Sequence, residues 1–216
     1  RGGHPPRLPP LQNCRYSLSP PGRLEGSAKQ HMSEPPWRAS AESSSEDGGP
    51  GSSGMPSFVV IGAQKSASTF LQDQLSLHPE IEIPEGEVRY FEDPFYSEGK
   101  VAELPWLFHS ANPDAVRGIK RPDYLGRPEI PERLARHLPW ARLLVVLREP
   151  IARAVSSYYH FVRHGFVPLA PIDEAFEHLL ADTWGERYPH AREVLAFGLY
   201  GEQLRRYLDH IPPEQL

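Results

Sequence analysis

The sequence predicts an α/β fold in which helices flank both faces of a parallel β-sheet. The runs Phe58–Ile61 and Leu143–Leu147 are apolar and contain β-branched residues, as in strands buried on both faces. Each run is followed closely by a segment with helical apolar spacing, and this alternation is typical of parallel sheets. The 160 residues from Ser57 onward are enough for one domain with a sizeable core.

Residues 1–56 are predicted to form a tail or linker that lies outside this domain. The segment contains 10 Pro, 8 Gly and 10 Ser, so half of its residues contribute little to a core. Such a composition buries too little apolar surface to offset the conformational entropy that is lost on ordering. The domain is therefore expected to comprise residues 57–216.

The elements of the domain follow from local patterns along the chain. After the first strand, a helix is expected over Ser66–Leu77, with Ser66 or Ser68 as its N-cap because hydroxyl side chains accept hydrogen bonds from first-turn N–H groups. The remaining elements are expected in this order: a loop at 80–100, a weak strand at Val116–Lys120, a helix at Pro131–Leu138, the strand at Leu143–Leu147, and helices at Ile151–His164, about 171–181 and about 190–209.

The composition excludes several classes of function. With 17 bases and 23 acids after residue 56, the domain has a charge of −6 and lacks the basic surface of a general nucleic-acid binder. Cys14 is the single cysteine, which excludes an internal disulfide and a cysteine zinc site. The longest apolar runs are far shorter than the ~20 residues of a membrane-spanning helix. No signal peptide is visible, and because the chain begins with Arg1, a fragment is expected.

The segment Phe58–Phe70, FVVIGAQKSASTF, has the features of an anion-binding site. A buried strand and a tight turn lead into a helix N-terminus, where free N–H groups carry partial positive charge. The segment adds one ammonium group and three hydroxyl donors, from Lys65, Ser66, Ser68 and Thr69. An ordinary strand–turn–helix is the alternative. A Walker A loop would have glycine in place of Val59 and Gln64, which argues against a nucleoside triphosphatase.

A second anion site is predicted where the strand at 143–147 ends. Arg148 follows this strand directly, at the carboxyl edge where open α/β sheets bind ligands. Arginine makes bidentate phosphate contacts, and the hydroxyl of Ser156 is available in the next helix. The alternatives are a salt bridge between Arg148 and Glu149 or another acid, and an ordinary helical serine at 156. Two such sites on strand ends indicate a ligand with two separated phosphate groups.

The segments QKSAST and LREPIARAVSSYYH resemble motifs of the sulfotransferases that use 3′-phosphoadenosine 5′-phosphosulfate (PAPS), and the match extends over most of residues 57–210. The resemblance implies the fold of that family, a P-loop-like parallel sheet flanked by helices, and a PAPS donor with no metal. It assigns the 5′-phosphosulfate to Lys65, Ser66, Ala67, Ser68 and Thr69. It assigns the 3′-phosphate to Arg148 and Ser156.

The segment GEVRYFED resembles the E-V-x-F-F segment of heparan sulfate glucosaminyl 3-O-sulfotransferases and of related N-sulfotransferase domains. This resemblance implies that Glu87 is the catalytic base. The segment GIKRPDY resembles the K-x-P-x-Y segment that follows in these enzymes, which implies that Lys120 assists catalysis. Lys65 is expected to stabilise the leaving phosphate oxygen. Small-molecule sulfotransferases have a histidine base where this chain has Arg121-Pro122, so the glycan-type branch is favoured. Substrate contacts are expected from Glu87, Arg89, Lys120, Arg121 and Pro122. By themselves, the acids of residues 85–93 are equally compatible with a solvated acidic loop.

The expected activity is transfer of a sulfuryl group from PAPS to a hydroxyl or amine of a carbohydrate-type acceptor, such as a glycosaminoglycan, and a small-molecule acceptor is the other expected partner. The alternatives are a non-catalytic nucleotide- or glycan-binding relic and a P-loop kinase-like phosphotransferase. Because the family continues with a further strand and a basic loop, the domain is expected to be C-terminally incomplete. The resemblance also implies the Golgi lumen, with any anchor upstream of Arg1. His109, His137, His160 and His164 lack paired metal spacing and are expected to be surface or structural residues.

Overall fold

The structure is a computed structural model that describes residues 54–110, 112 and 114–216. The predicted tail, with Cys14, lies outside the described residues except for residues 54–56. These three residues lie against the domain: Met55 packs on the main core, and Trp140 Nε1 donates a hydrogen bond of 3.1 Å to the carbonyl of Pro56. The packed part of the described chain therefore begins a few residues before Ser57.

Four parallel strands form the described sheet, in the order β2-β3-β1-β4. The strands are β1 (Phe58–Gly62), β2 (Ile81–Glu82), β3 (Val116–Lys120) and β4 (Arg142–Val145). This arrangement confirms the predicted parallel sheet and the three strands expected from the sequence, and it adds the short strand β2 within the expected loop at 80–100. Because the carboxyl ends of parallel strands meet at one edge, the loops that follow β1, β3 and β4 lie side by side.

Seven α-helices flank this sheet in the described chain. They are α1 (Ser68–Ser76), α2 (Glu98–Val101), α3 (Ile130–His137), α4 (Pro150–Arg163), α5 (Ile172–Leu180), α6 (His190–Ala196) and α7 (Tyr200–Leu208). Short 3₁₀ turns lie at Leu104–Leu107, Tyr124–Gly126 and Pro213–Gln215. The α/β fold predicted from the alternation of strands and helices is therefore confirmed.

Two expected details of the helices are wrong. The single helix expected at about 190–209 is two helices, α6 and α7, which are separated at Gly198. Glycine is unfavourable inside helices. Gly198 is also closely packed, because a β-carbon at this position would lie 3.3 Å from the carbonyl oxygen of Leu195 and 3.4 Å from Nε of the buried Arg153. The expected N-cap is also different, because Ala67 occupies that position and no side chain caps α1.

The core is organised around β1, which is buried along its whole length between β3 and β4. One cluster joins strand residues such as Val59, Ile61 and Ile119 to residues of α3 and α7. A second cluster joins α4, α5 and α6. β4 is an edge strand among the described residues, and Leu144 is 37% exposed even though its segment is the most apolar in the sequence. The core thus supports the edge of the sheet at which the candidate site residues lie.

Candidate active site

The loop between β1 and α1 has an unusual backbone. Lys65 and Ala67 have φ angles of 65° and 66°, in the left-handed region that residues other than glycine rarely adopt. Each such residue costs about 1–2 kcal/mol, and strain of this kind concentrates at functional sites. Backbone of this type turns successive N–H groups toward one concave side, where an anion binds. Ser66 lies between them and is buried, and its Oγ has no hydrogen-bond partner in the described chain.

A cleft of about 490 Å³, the Lys65 cleft, opens at this edge of the sheet. Most of the predicted site residues line it, together with three residues that sequence analysis did not assign to the site. The lining residues are Gln64, Lys65, Ala67, Ser68, Thr69, Glu87, Arg121, Pro122, Asp123, Arg148, Ser156 and His160. The structure therefore brings both predicted anion sites into one cleft, although they are about 80 residues apart in the sequence.

Arg148 and Lys65 are neighbours in this cleft. The Arg148 guanidinium donates a hydrogen bond of 3.4 Å to the carbonyl of Lys65. The alternative salt bridge between Arg148 and Glu149 does not form. Glu149 instead caps α4, where its carboxylate accepts hydrogen bonds from the N–H groups of Ile151 and Ala152 at 3.0 and 2.7 Å. Within the described residues no carboxylate lies within 4.0 Å of Arg148 or Lys65, so both cations remain open to a ligand.

A second cleft of about 440 Å³, the Lys120 cleft, adjoins the first. Its lining residues are Thr69, Gln72, Asp73, Ser76, Ile83, Pro84, Glu85, Gly86, Glu87 and Lys120. Thr69 and Glu87 line both clefts. The Lys120 side chain is buried, with its Nζ 3.4 Å from Thr69 Oγ1 and 3.7 Å from Glu87 Oε1. The carboxylate of Glu87 therefore lies at the boundary between the two clefts, beside an ammonium group.

The loop that carries Glu87 is fastened on both sides. The amide of Gln72, on α1, donates to the carbonyls of Pro84 and Gly86 at 2.6 and 3.0 Å. The N–H of Val88 donates to the carbonyl of Lys120, at the end of β3, at 2.9 Å. The buried hydroxyl of Tyr124 donates to the carbonyl of Val88. These contacts explain how a loop rich in polar residues holds one carboxylate at a defined position.

Arg121 connects Glu87 to two further carboxylates. Its guanidinium donates to both carboxylate oxygens of Glu92 at 2.9 Å, lies 2.8 Å from Asp123 Oδ2, and donates to Glu87. Burial alone would lower the pKa of Arg121, but the charge of Asp123 and the hydrogen bonds to Glu92 and Glu87 outweigh it and raise the pKa. The interpretation of residues 85–93 as a solvated acidic loop is wrong for Glu92, which is 2% exposed.

The network continues from Arg121 into the loop after β1. Asp123 accepts a hydrogen bond of 3.1 Å from the amide of Gln64, and the hydroxyl of Ser157 donates to Gln64 Oε1 at 3.0 Å. Burial raises the pKa of Asp123, and the charge of Arg121 opposes this shift. Hydrogen bonds thus connect the Glu87 loop, the end of β3, the Lys65 loop and α4.

Two predicted site residues line neither cleft. Ser66 is buried within the loop between β1 and α1, and Arg89 contacts other residues instead. The Arg89 guanidinium pairs with Glu92 and lies 4.2 Å from the centre of the Phe95 ring. Arg89 therefore contacts Glu92, one of the carboxylates bound by Arg121, and does not line either cleft.

Sequence analysis did not assign Gln64, Asp123 or His160 to the site. Gln64 and Asp123 lie inside the quoted motifs QKSAST and GIKRPDY, but their partners are distant in sequence. His160 lies one helical turn after Ser156, and this i, i+4 spacing would have indicated a shared helix face. Burial, followed by the charge of Lys65, lowers the pKa of His160, so the ring is neutral at pH 7. His160 is partly buried and contributes to the wall of the Lys65 cleft.

Two further observations concern metal-binding groups and membrane-spanning helices. Residues 54–110, 112 and 114–216 contain no group of three or more His, Cys, Asp or Glu side chains placed to hold a metal ion. None of the helices in the same residues is long and apolar enough to cross a membrane.

Comparison with known proteins identifies the family. Residues 55–216 match the model of the sulfotransferase domain. The chain belongs to this sulfotransferase family. The chain is 28% identical over 174 residues to the bifunctional heparan sulfate N-deacetylase/N-sulfotransferase 1 of Caenorhabditis briggsae. This alignment covers 75% of the chain and 20% of that protein. The chain is 27% identical over 226 residues to human heparan sulfate glucosamine 3-O-sulfotransferase 3B1, which covers 99% of this chain and 54% of the relative.

A solved structure supports the same conclusion about the fold. The crystal structure of a sulfotransferase from Alicyclobacillus acidocaldarius matches this sulfotransferase with a TM-score of 0.62 and 28% identity, over 74% of this chain and 70% of that chain. The predicted family and the predicted sulfotransferase fold are therefore confirmed. The chain spans at most about half the length of the two curated relatives described above.

Proposed function

We propose that the protein transfers a sulfuryl group from PAPS to a hydroxyl or amine of a carbohydrate-type acceptor. The observation that carries this proposal is the position of Glu87 at the boundary of the two clefts. The Lys65 cleft presents open cations to an anionic donor, and the Lys120 cleft leads to the same carboxylate from the other side. A base between a donor site and an acceptor site is what a group transfer requires.

The Lys65 cleft has the features of a PAPS site. PAPS, when bound, supplies an activated sulfuryl group next to its 5′-phosphate. Lys65, Ser66, Ala67, Ser68 and Thr69 would hold this end, supported by the left-handed backbone at Lys65 and Ala67, the unpartnered Ser66 hydroxyl and the N-terminus of α1. Arg148 and Ser156, which line the same cleft, would hold the 3′-phosphate.

In the transfer step, Glu87 accepts the proton of the acceptor hydroxyl or amine as the new bond to sulfur forms. The bond between sulfur and the phosphate oxygen breaks at the same time, and negative charge develops on that oxygen. Lys65 stabilises this charge, and a fixed cation or donor of this kind contributes about 10²–10³-fold to the rate. Lys120, held between Thr69 and Glu87, orients the reacting groups.

Arg121 has a different proposed role from the substrate contact that the resemblance implied. Its guanidinium already binds Glu87, Glu92 and Asp123, so few of its donors remain for an acceptor. We assign Arg121 as a positioning residue for the Glu87 carboxylate. Arg89 supports Glu92 in this arrangement, and Pro122 contributes to the wall of the Lys65 cleft.

The acceptor class and the cellular location follow from relatives. The names of both curated relatives refer to heparan sulfate, and this supports a carbohydrate acceptor. The Golgi lumen is the proposed location on the same ground. No metal has a role in the proposed reaction.

The decisive experiment measures transfer of labelled sulfate from PAPS to a panel of glycans by the full-length protein. Replacing Glu87 with Gln should lower kcat by about 10²–10⁴-fold, the usual contribution of a general base. The affinity for adenosine 3′,5′-bisphosphate, measured by calorimetry, should stay unchanged. Glu80→Gln is the matched control, because Glu80 is an exposed glutamate that lines neither cleft, and its kcat should remain close to that of the parent.

The alternative functions give different results in the same experiment. Binding of the bisphosphate without transfer to any acceptor would identify a non-catalytic relic. Magnesium-dependent binding of ATP in preference to the bisphosphate would identify a kinase-like phosphotransferase. Undiminished transfer by the Glu87→Gln variant would remove Glu87 from the mechanism.

A further inference from the structure

We propose that the part of the acceptor that enters the Lys120 cleft is an uncharged saccharide segment, bound through its hydroxyl groups and free of sulfate or carboxylate. This inference rests on the proposed function and specifies the substrate class of the same site. It follows from the charges that the two clefts present to a ligand.

The cations near the Lys120 cleft are already neutralised within the protein. Lys120 Nζ lies 3.7 Å from Glu87 Oε1. Arg121 binds three carboxylates and is 11% exposed. Arg89 pairs with Glu92 and lines neither cleft. An anionic acceptor group would therefore have to displace a carboxylate from a buried or paired cation, which leaves that carboxylate without a partner.

The remaining charged groups of the cleft are carboxylates. Asp73 on α1 and Glu85 in the opposite loop both line the cleft and are exposed. Neither has a cation within 4.0 Å in the part of the chain that the structure describes. The lining residues carry one positive and three negative charges, a net charge of −2. Such a surface repels sulfate and carboxylate groups but accepts hydrogen bonds from sugar hydroxyls.

The Lys65 cleft presents the opposite pattern. Lys65 and Arg148 are without carboxylate partners in the described chain, and the adjoining helix N-terminus adds partial positive charge. Anionic groups are thus attracted to one cleft and repelled by the adjoining one. Repulsion of this kind supports specificity, because it disfavours binding of the anionic donor and of anionic acceptors in the Lys120 cleft.

The experiment compares two glucosamine-based tetrasaccharides as acceptors for the full-length protein: fully N-acetylated chitotetraose, which is uncharged, and a heparan sulfate tetrasaccharide, which is anionic. We expect kcat/KM for the uncharged acceptor to exceed that for the anionic one at least tenfold. The double variant Asp73→Lys/Glu85→Lys should shift this ratio at least tenfold toward the anionic acceptor. Lysine is compatible with both positions, since one is on an exposed helix face and the other is in an exposed loop.

Asp209→Lys is the matched control, because it reverses an exposed charge at the end of α7 that lines neither cleft. It should leave the ratio unchanged, and all variants should bind adenosine 3′,5′-bisphosphate as the parent does. A parent protein that prefers the anionic tetrasaccharide, or a double variant with an unchanged ratio, would overturn the inference. Transfer to neither acceptor, nor to any other glycan of the panel, would overturn the proposed function and this inference with it.

Discussion

The two adjoining clefts use charged residues in opposite ways. In the Lys65 cleft, the cations Lys65 and Arg148 have no carboxylate partner among the described residues, and the anion site is completed by backbone N–H groups. Lys120, the cation of the Lys120 cleft, is instead paired with Glu87 and largely buried, and the neighbouring Arg121, in the wall of the Lys65 cleft, is likewise paired with carboxylates and largely buried. Open cations are suited to binding the charge of a ligand, whereas paired cations are suited to holding a catalytic carboxylate in place.

The largest effect of removing an open cation is expected at Lys65. Replacing Lys65 with Ala removes the only ammonium group of the described Lys65 cleft, and kcat for sulfate transfer should fall by about 10²–10³-fold. Lys100→Ala is the control, because Lys100 pairs with Glu103 at the surface and lines neither cleft. A kcat within threefold of the parent would show that the open cation at Lys65 has no part in the reaction.

Replacing the paired cation Arg121 should lower both the free energy of unfolding and kcat. Arg121→Ala leaves Asp123 without its ion-pair partner and the buried Glu92 paired with Arg89 alone, which should lower the free energy of unfolding by about 3–5 kcal/mol. Arg121→Lys keeps the charge but cannot bind three carboxylates at once, so stability should recover in part. Because Glu87 loses its fixed position, kcat should remain about 10–100-fold below the parent while KM changes little.

Urea unfolding and acceptor kinetics measure these two effects separately. Arg192→Ala is the control, since Arg192 pairs with Asp182 at the surface, and neither quantity should change appreciably. A purely structural role for Arg121 would predict that Arg121→Lys recovers kcat together with stability. Loss of acceptor binding with an unchanged kcat would instead return Arg121 to the substrate contacts.

The open cation Arg148 should affect donor binding rather than the chemical step. Arg148→Ala removes charge-assisted hydrogen bonds worth about 1.5–3 kcal/mol, so the Kd for adenosine 3′,5′-bisphosphate should rise about 10–100-fold. Because Arg148 is exposed and unpaired by any described carboxylate, the free energy of unfolding should stay nearly constant. Calorimetry with Arg163→Ala, an exposed arginine at the end of α4, provides the comparison. An unchanged Kd would separate Arg148 from the donor site.

The smallest effect is expected at Glu149, whose side chain caps the helix that carries Ser156. Hydrogen bonds from the N–H groups of Ala152 and Ile151 hold the pKa of Glu149 below its ordinary value. Since the pKa is lower in the folded state, the ionised carboxylate stabilises the protein above the unfolded-state pKa, and this contribution disappears as the pH falls through the folded-state pKa. Glu149→Ala should therefore lower the urea midpoint slightly at pH 7 and not at strongly acidic pH.

Glu149→Gln provides the control for charge, because it keeps a hydrogen-bond acceptor at the N-cap. Its midpoint at pH 7 should lie between those of the parent and the alanine variant. A difference between parent and alanine variant that is equally large at acidic pH would contradict the role of the ionised carboxylate.

Local patterns were sufficient for three of the four described strands, whereas β2 (Ile81–Glu82) lies where a loop was expected. The apolar runs that form β1 and β4 are recognisable by themselves, and Lys65 and Arg148 follow them directly in the sequence. The alternation of strands and helices predicted a parallel sheet, in which the ends of these two strands, and hence Lys65 and Arg148, lie at the same edge. The sequence did not predict the break between α6 and α7. A single glycine at 198 does not by itself end a helix, and the packing of Arg153 beside it is visible only in the structure.

The sequence by itself determined the family, the fold class and the residues that follow each strand, because these depend on short-range composition and on the geometry of parallel strands. Only the tertiary structure decided which charges are open and which are paired. Glu92 was read as part of an acidic loop, but it is buried against Arg121, 29 residues away, and Gln64 bonds to Ser157 across 93 residues. Ion pairing and burial depend on distances between segments remote in sequence, and those distances are set by the packing of the whole domain.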